Sequence, residues 1–181
     1  MLHSNTELLI DYWRARRPRG QAPLRSSINP AEISALLPQI FILGRSGQGQ
    51  FSFRLAGGDI VELHGRDLRR LDFTTLWSPA DREPLATALE GARRTAEPVL
   101  LTAEARAAEG ASVRIQVTLL PVRSETLPPD RVLGLYQPLA SMTALRGRPA
   151  VGMKLLNFDD LSGEPALPRI RLAALDGRRI A

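Results

Sequence analysis

Residues 113–119 read Val113, Arg114, Ile115, Gln116, Val117, Thr118, Leu119. Apolar and polar side chains alternate without a break. Successive side chains of a β-strand point to opposite faces, so a period of two marks a strand with one buried face. The pattern predicts a strand that presents Val117 inward. The same alternation precedes it, with Val99, Leu101, Ala103 and Ala105 set against Leu100, Thr102, Glu104 and Arg106. Glu109 and Gly110 supply the turn between the two runs. A loop containing Pro128 and Pro129 leads to a third β-prone run over residues 132–136, ended by Pro138.

Upstream lies a hairpin. Residues 41–43 (Phe, Ile, Leu) are β-prone, residues 46–50 are rich in Gly, Ser and Gln, and residues 51–55 alternate. Phe51, Phe53 and Leu55 fall on one face of that run, Ser52 and Arg54 on the other. Between hairpin and meander, residues 59–77 scatter their apolar positions as short helical turns would. A longer helix is predicted from near Asp81, because Pro84 is tolerated only in a first turn. Leu85, Leu89 and Ala92 form its apolar stripe. Two helices come first. Ser4 and Glu7 fit a capping box, followed by Leu8, Leu9, Tyr12 and Trp13 on one face. Asn29 caps a short helix that has Pro30 at its first position and Ile33, Leu36 and Leu37 inward, closed by Pro38. The order β-β, short helices, helix, β-β-β implies an α+β fold: a five-stranded antiparallel sheet with helices on one face. Beyond Leu139 the chain reads as a tail, with one apolar cluster (Met153, Leu155, Leu156, Phe158) and a short alternating piece at Ile170 and Leu172.

Composition removes several functions. The 181 residues contain no cysteine, which excludes a disulfide framework, a thiolate metal site, a cysteine nucleophile and a cysteinyl–flavin adduct. No apolar run approaches the roughly 20 residues a membrane helix needs. The polar first residues lack a signal-peptide pattern, so a cytoplasmic location is the simplest expectation. The formal net charge is +5, but it sits at the ends. Residues 1–30 carry +3, residues 31–139 carry −1 and residues 140–181 carry +3. Nucleic-acid-binding domains concentrate positive charge on the folded body, so no nucleic-acid partner is expected.

Seven short words carry a resemblance: Tyr12-Trp13-Arg14, Pro23-Leu24-Arg25, Asn29-Pro30 with Glu32-Ile33, Leu37-Pro38, Phe53-Arg54-Leu55-Ala56-Gly57, Glu62-Leu63 with Gly65-Arg66, and Leu76-Trp77. Their ordered set, over about residues 8–140, resembles a PAS-like family found in alphaproteobacteria. The resemblance implies a PAS fold and a role in signalling or protein interaction, and it implies no particular ligand. It divides the chain into an N-terminal helical extension (1–38), a PAS-like domain (39–140) and a C-terminal tail (141–181).

In such a fold Phe41, Phe53, Leu55, Leu63, Leu68, Phe73, Trp77, Leu85, Leu89, Val117 and Leu119 would converge between sheet and helices. They read first as core packing, and second as a pocket for a small apolar or aromatic ligand, with Arg54 or Arg66 anchoring an acid at its mouth. No cofactor is expected. A haem would need a ligand such as histidine on the long helix, which has none; His64 reads as a half-buried packing residue and His3 as frayed terminus. Two distant histidines make no metal site. No nucleophile–base pair can be assembled, and residues 44–49 are not a phosphate loop. Asp159 and Asp160 read as solvated. The leading function is a non-catalytic regulatory module that signals through another protein. The alternatives are an enzyme of the ketosteroid-isomerase or dehydratase type, which needs a buried carboxylate or histidine base, and a weak nucleic-acid binder using the basic ends. The stripe Leu8, Leu9, Tyr12, Trp13 needs a cover, and a homodimer through that helix is expected.

Overall fold

The computed structural model describes residues 2–125, 127–145 and 147–161. Helix α1 (Ser4–Ala15) comes first, then a short 3-10 turn (Arg25–Ser27) and a kinked 3-10 helix (Pro30–Gln39). Strands β1 (Ile40–Arg45) and β2 (Phe51–Ala56) form the hairpin. Helix α2 (Gly58–His64), two 3-10 turns (Phe73–Leu76, Pro79–Asp81) and helix α3 (Arg82–Thr95) follow. Strands β3 (Val99–Ala107), β4 (Ser112–Val122) and β5 (Arg131–Pro138) form the meander. A last turn (Met142–Leu145) leads to β6 (Ala150–Asp160). The six strands make one sheet in the order β2-β1-β5-β4-β3-β6, with every neighbouring pair antiparallel.

The sheet therefore has six strands where the sequence predicts five. Residues 150–160, read as tail, pair with β3 along its whole length. Alternation hid this strand, because two register shifts interrupt it, after Thr102 and after Arg106 on the β3 side. The surplus residues break the period of two that a regular strand shows. Leu155 N–H also donates to the Asp81 carboxylate at 2.9 Å, and Ser78 N–H donates to the Met153 carbonyl at 2.8 Å. Asp81 thus anchors β6 and accepts from Ser78 Oγ; its side chain does not cap α3. Ile170 and Leu172 lie outside the described residues.

Two cores flank the sheet. The inner one joins Phe41, Phe53, Phe73, Trp77, Leu85, Leu89, Val117 and Leu119 with their neighbours under α2 and α3. The outer one joins Leu9, Ile10 and Trp13 of α1 and Ile33 and Leu36 to Ile40, Leu120, Val122, Leu133 and Leu135. Helices therefore cover both faces of the sheet, where the sequence predicts one.

Helix α1 corrects a second expectation. Its buried residues are Thr6, Leu9, Ile10 and Trp13, the i, i+3, i+4, i+7 set of a helical face. Leu8 is 51% exposed and Tyr12 only partly buried. Trp13 Nε1 donates to the Pro121 carbonyl at 2.8 Å. Thr6 Oγ1 and the His3 N–H both donate to Gln116 Oε1, and Asn5 donates to Gln137. The outward strand surface is polar where the helix begins and apolar where it ends. It covers Leu9 and Trp13 without a second chain, and a dimer contact through this helix has Leu8 and part of Tyr12 left to offer. His3 is held, not frayed: its Nδ1 accepts from Asn5 N–H, so the cap falls one residue before the Ser4 predicted for it.

The inner core needs Gly134. A Cβ built there would lie 2.0 Å from Phe41 Cζ, so the Phe41 ring occupies the space a side chain on β5 would fill. Gly134→Ala should cost about 1–3 kcal/mol, as overpacking does. Chemical denaturation of the variant checks this, and adding Phe41→Leu should recover part of the loss.

Candidate functional site

Ten of the eleven apolar residues predicted to converge do so. Phe41, Phe53, Leu63, Leu68, Phe73, Trp77, Leu85, Leu89, Val117 and Leu119 share the inner core. Leu55 does not. Leu43 pairs with Phe53 and Ile42 with Leu55, which leaves Arg54 as the extra residue of a β-bulge. The bulge inverts the alternation after it. Leu55 is 46% exposed, while Ala56, opposite Phe41, packs inward.

The rings fill the middle of this core. Phe41 stacks on Phe73 at 5.7 Å between centroids, meets Phe53 at 5.7 Å and takes Tyr136 edge-on at 5.2 Å; Phe73 reaches Trp77 at 5.6 Å. Space remains to one side. A cavity of about 330 Å³ lies beneath α2, walled by Ile60, Leu63, Ile115, Pro138, Met142 and Leu145, with Gln39, Asp59, Glu62, Tyr136, Gly147 and Arg148 completing its lining. Its floor is β4 and β5. Its far wall is a strap between β5 and β6, described over residues 139–145 and 147–149. Of the predicted pocket residues only Leu63 lines it. Arg54 and Arg66 are exposed and do not; Arg54 lies along Gly44 instead.

Two residues that line this cavity each carry a buried side-chain atom without a hydrogen-bond partner, Tyr136 Oη and Gln39 Oε1. Burial alone pushes the Tyr136 hydroxyl pKa up, so the group stays protonated and can donate. Sequence reading missed Tyr136, although the signal was present: Val132, Gly134 and Tyr136 are the inward set of β5, and Leu133 and Leu135 the outward set. Gln39, Met142 and Leu145 carried no signal, since they come from a helix end and a strap. Among the described residues no group of three or more His, Asp or Glu side chains could hold a metal ion, and no helix is long and apolar enough to cross a membrane.

The sequence profile of the PAS domain family matches residues 1–137. The chain belongs to the PAS domain family. That match takes in α1 and the helix at Pro30–Gln39 as well as the sheet. Similar solved structures include a Rhodobacter sphaeroides LOV protein, 13% identical with a TM-score of 0.48, over 64% of this chain and 70% of that one. Another is the PAS domain of a protein from Colwellia psychrerythraea, 14% identical with a TM-score of 0.45, over 61% and 98%. A third is Vibrio cholera VqmA in a complex with ligand and DNA, 18% identical with a TM-score of 0.47, over 62% and 52%. No curated protein matches the chain.

His64 ends α2 beside this PAS cavity. It is buried, its ring meets that of Tyr136 at 6.0 Å, and its Nε2 has no partner. Desolvation, and after it the charge of Arg66, lowers its pKa to about 4. A histidine whose folded pKa lies below its unfolded value of about 6.5 binds more protons when unfolded. Its neutral form is therefore accommodated above pH 6.5, and stability is lost as pH falls from there toward 4. The loss between pH 7 and pH 5 should be about 2 kcal/mol. Urea denaturation at the two pH values should show it in the native chain and not in His64→Gln; equal losses in both would assign the titration to another group.

Proposed function

We propose that this chain is a non-catalytic sensor or regulatory module. A small ligand occupies the cavity beneath α2, and its presence is passed to a partner protein. The observation that carries the reading is the Tyr136 hydroxyl, buried without a partner on a residue that lines a cavity with apolar walls and a few polar groups. Leaving such a group unpaired costs about 1–3 kcal/mol, and a ligand that supplies the missing hydrogen bond recovers it. Ligand sites in general combine apolar walls with a few placed polar groups in a volume of about 300–1,000 Å³, and this cavity lies at the lower end of that range.

A ligand that prefers one arrangement of the cavity walls shifts the population toward it. The strap over residues 139–149 is the wall best placed to carry the change, because it continues directly into β6. An enzyme of the isomerase or dehydratase type would need a buried carboxylate or histidine facing the cavity. Asp59 and Glu62 are exposed at its edge, and His64 does not line it, which favours the binding reading.

Tyr136→Phe should leave the ligand-free protein as stable as before or more stable, by up to about 1–2 kcal/mol, because it deletes an unpaired buried hydroxyl. The same variant should lose most of the stabilisation a bound ligand gives. Methyl NMR spectra recorded with a fragment library should move Ile60, Leu63, Ile115, Met142 and Leu145 as one set. Fragments that shift other surfaces and leave this set silent would remove the cavity from the reading.

A further inference from the structure

The charges around the cavity are arranged unevenly. Asp59 and Glu62 lie three residues apart on α2, so they share one face of that helix. Both are exposed and both line the cavity. Neither forms an ion pair among the described residues, and neither carboxylate takes a hydrogen bond there. The cation on the lining, Arg148, is paired with Glu109 in the turn between β3 and β4. Arg66 acts on His64 but does not line the cavity. The described rim is therefore negative.

One buried polar atom, on Gln39, selects in the same direction. Gln39 Oε1 is an amide oxygen and can only accept. It lacks a donor. A hydroxyl, an ammonium group or an amide N–H would satisfy it, whereas an ionised carboxylate has no proton to offer. Tyr136 Oη, also unpartnered, can donate or accept, so it suits an alcohol and is no obstacle to an amine. The walls contributed by Ile60, Ile115 and Leu145 demand an apolar body behind that polar head.

We propose that the cavity selects small uncharged or cationic molecules that carry a hydrogen-bond donor on an apolar body, and rejects acids. This rests on the ligand-binding reading of the same cavity. It replaces the acid anchor expected at Arg54 or Arg66, since those guanidinium groups lie elsewhere.

The test uses the full chain and three probes of matched size: benzylamine, benzyl alcohol and benzoate, titrated at pH 7.5 and low salt while the Ile60 and Ile115 methyl signals are followed. Benzoate should bind at least about tenfold more weakly than benzyl alcohol, as repulsion by two partly exposed carboxylates would produce, and benzylamine at least as tightly as the alcohol. The double variant Asp59→Asn, Glu62→Gln should bring benzoate to within about threefold of benzyl alcohol. Benzoate binding as tightly as the alcohol in the native chain would overturn the inference and leave the cavity a ligand site. A gap that persists in the double variant would overturn the role given to the two carboxylates. All three probes leaving both methyls unmoved would sink the ligand reading of the cavity itself, and this inference with it.

Discussion

Strand β4 must be buried on both faces, and the rest of the fold answers that demand. Its inward residues Val113, Ile115, Val117 and Leu119 sit in the core beneath α2 and α3. Its outward residues run from Gln116 and Thr118 to Leu120 and Val122, and all four are buried. A strand covered on one side only would leave the last two in water. Helix α1 matches this gradient residue by residue. Thr6, in its first turn, bonds to Gln116, and Trp13, near its last, lies against the Leu120–Val122 end and donates to the Pro121 carbonyl. Fully burying an aliphatic side chain such as Leu9 or Ile10 is worth about 1.5–3 kcal/mol. The helix is thus a second layer of the domain, consistent with a family match that starts before it.

The inner face follows a different logic, in which ring size is balanced by a missing side chain. Phe41, Phe53, Phe73 and Trp77 are held within centroid distances of 5.6–5.9 Å in successive contacts. They can close up only because Gly134 yields its side-chain volume to Phe41. Packing this dense does not extend to the far end of β4 and β5. There the floor is Ile115, Tyr136 and Pro138, and the roof is a two-turn helix and a strap. The cavity is the region where the aromatic cluster has ended and only short elements remain to cover the sheet.

The sequence was most legible where one periodicity ran unbroken. Residues 113–119 fell in a strand with Val117 inward, and the hairpin, the helix from Asp81 and the short turns before it lay where pattern and proline placed them. Legibility failed at three kinds of place. A bulge at Arg54 reversed the side of Leu55, and two further irregularities against β3 disguised β6, because an extra residue shifts the period without changing composition. The outward face of the sheet is polar at Arg114, Gln116 and Thr118 and apolar farther along, at Leu120, Val122, Leu133 and Leu135, a gradient that spans two strands and that no single periodicity displays. Its apolar end is what α1 covers. Last, the cavity could not be read as such. Ten of the predicted pocket residues share a core, but a core and a pocket differ by a volume that no residue type encodes, and most of its lining comes from α2 and the strap.

That strap ties the cavity to the edge of the sheet. Met142 and Leu145 form part of the cavity wall. Pro149 lies against Gly65, which has a left-handed φ of +61 and where a Cβ would meet Pro149 Cγ at 2.5 Å. Arg148 pairs with Glu109, and β6 begins at Ala150. The strap is therefore pinned at the end of α2 and at the β3–β4 turn before it enters the sheet. At its other end the Leu139 N–H bonds the Arg114 carbonyl. A change in what the cavity holds has two ways to be absorbed: outward movement of α2, or movement of the segment carrying Met142 and Leu145. The second pulls on the entry to β6, whose other contacts run to β3 and, through Asp81, to the start of α3. Cavity, strap, edge strand and the root of the long helix are thus one connected path of backbone and hydrogen bonds, and it leads from the inside of the domain to the edge of β6 that Trp77, Ser78 and Asp81 partly cover.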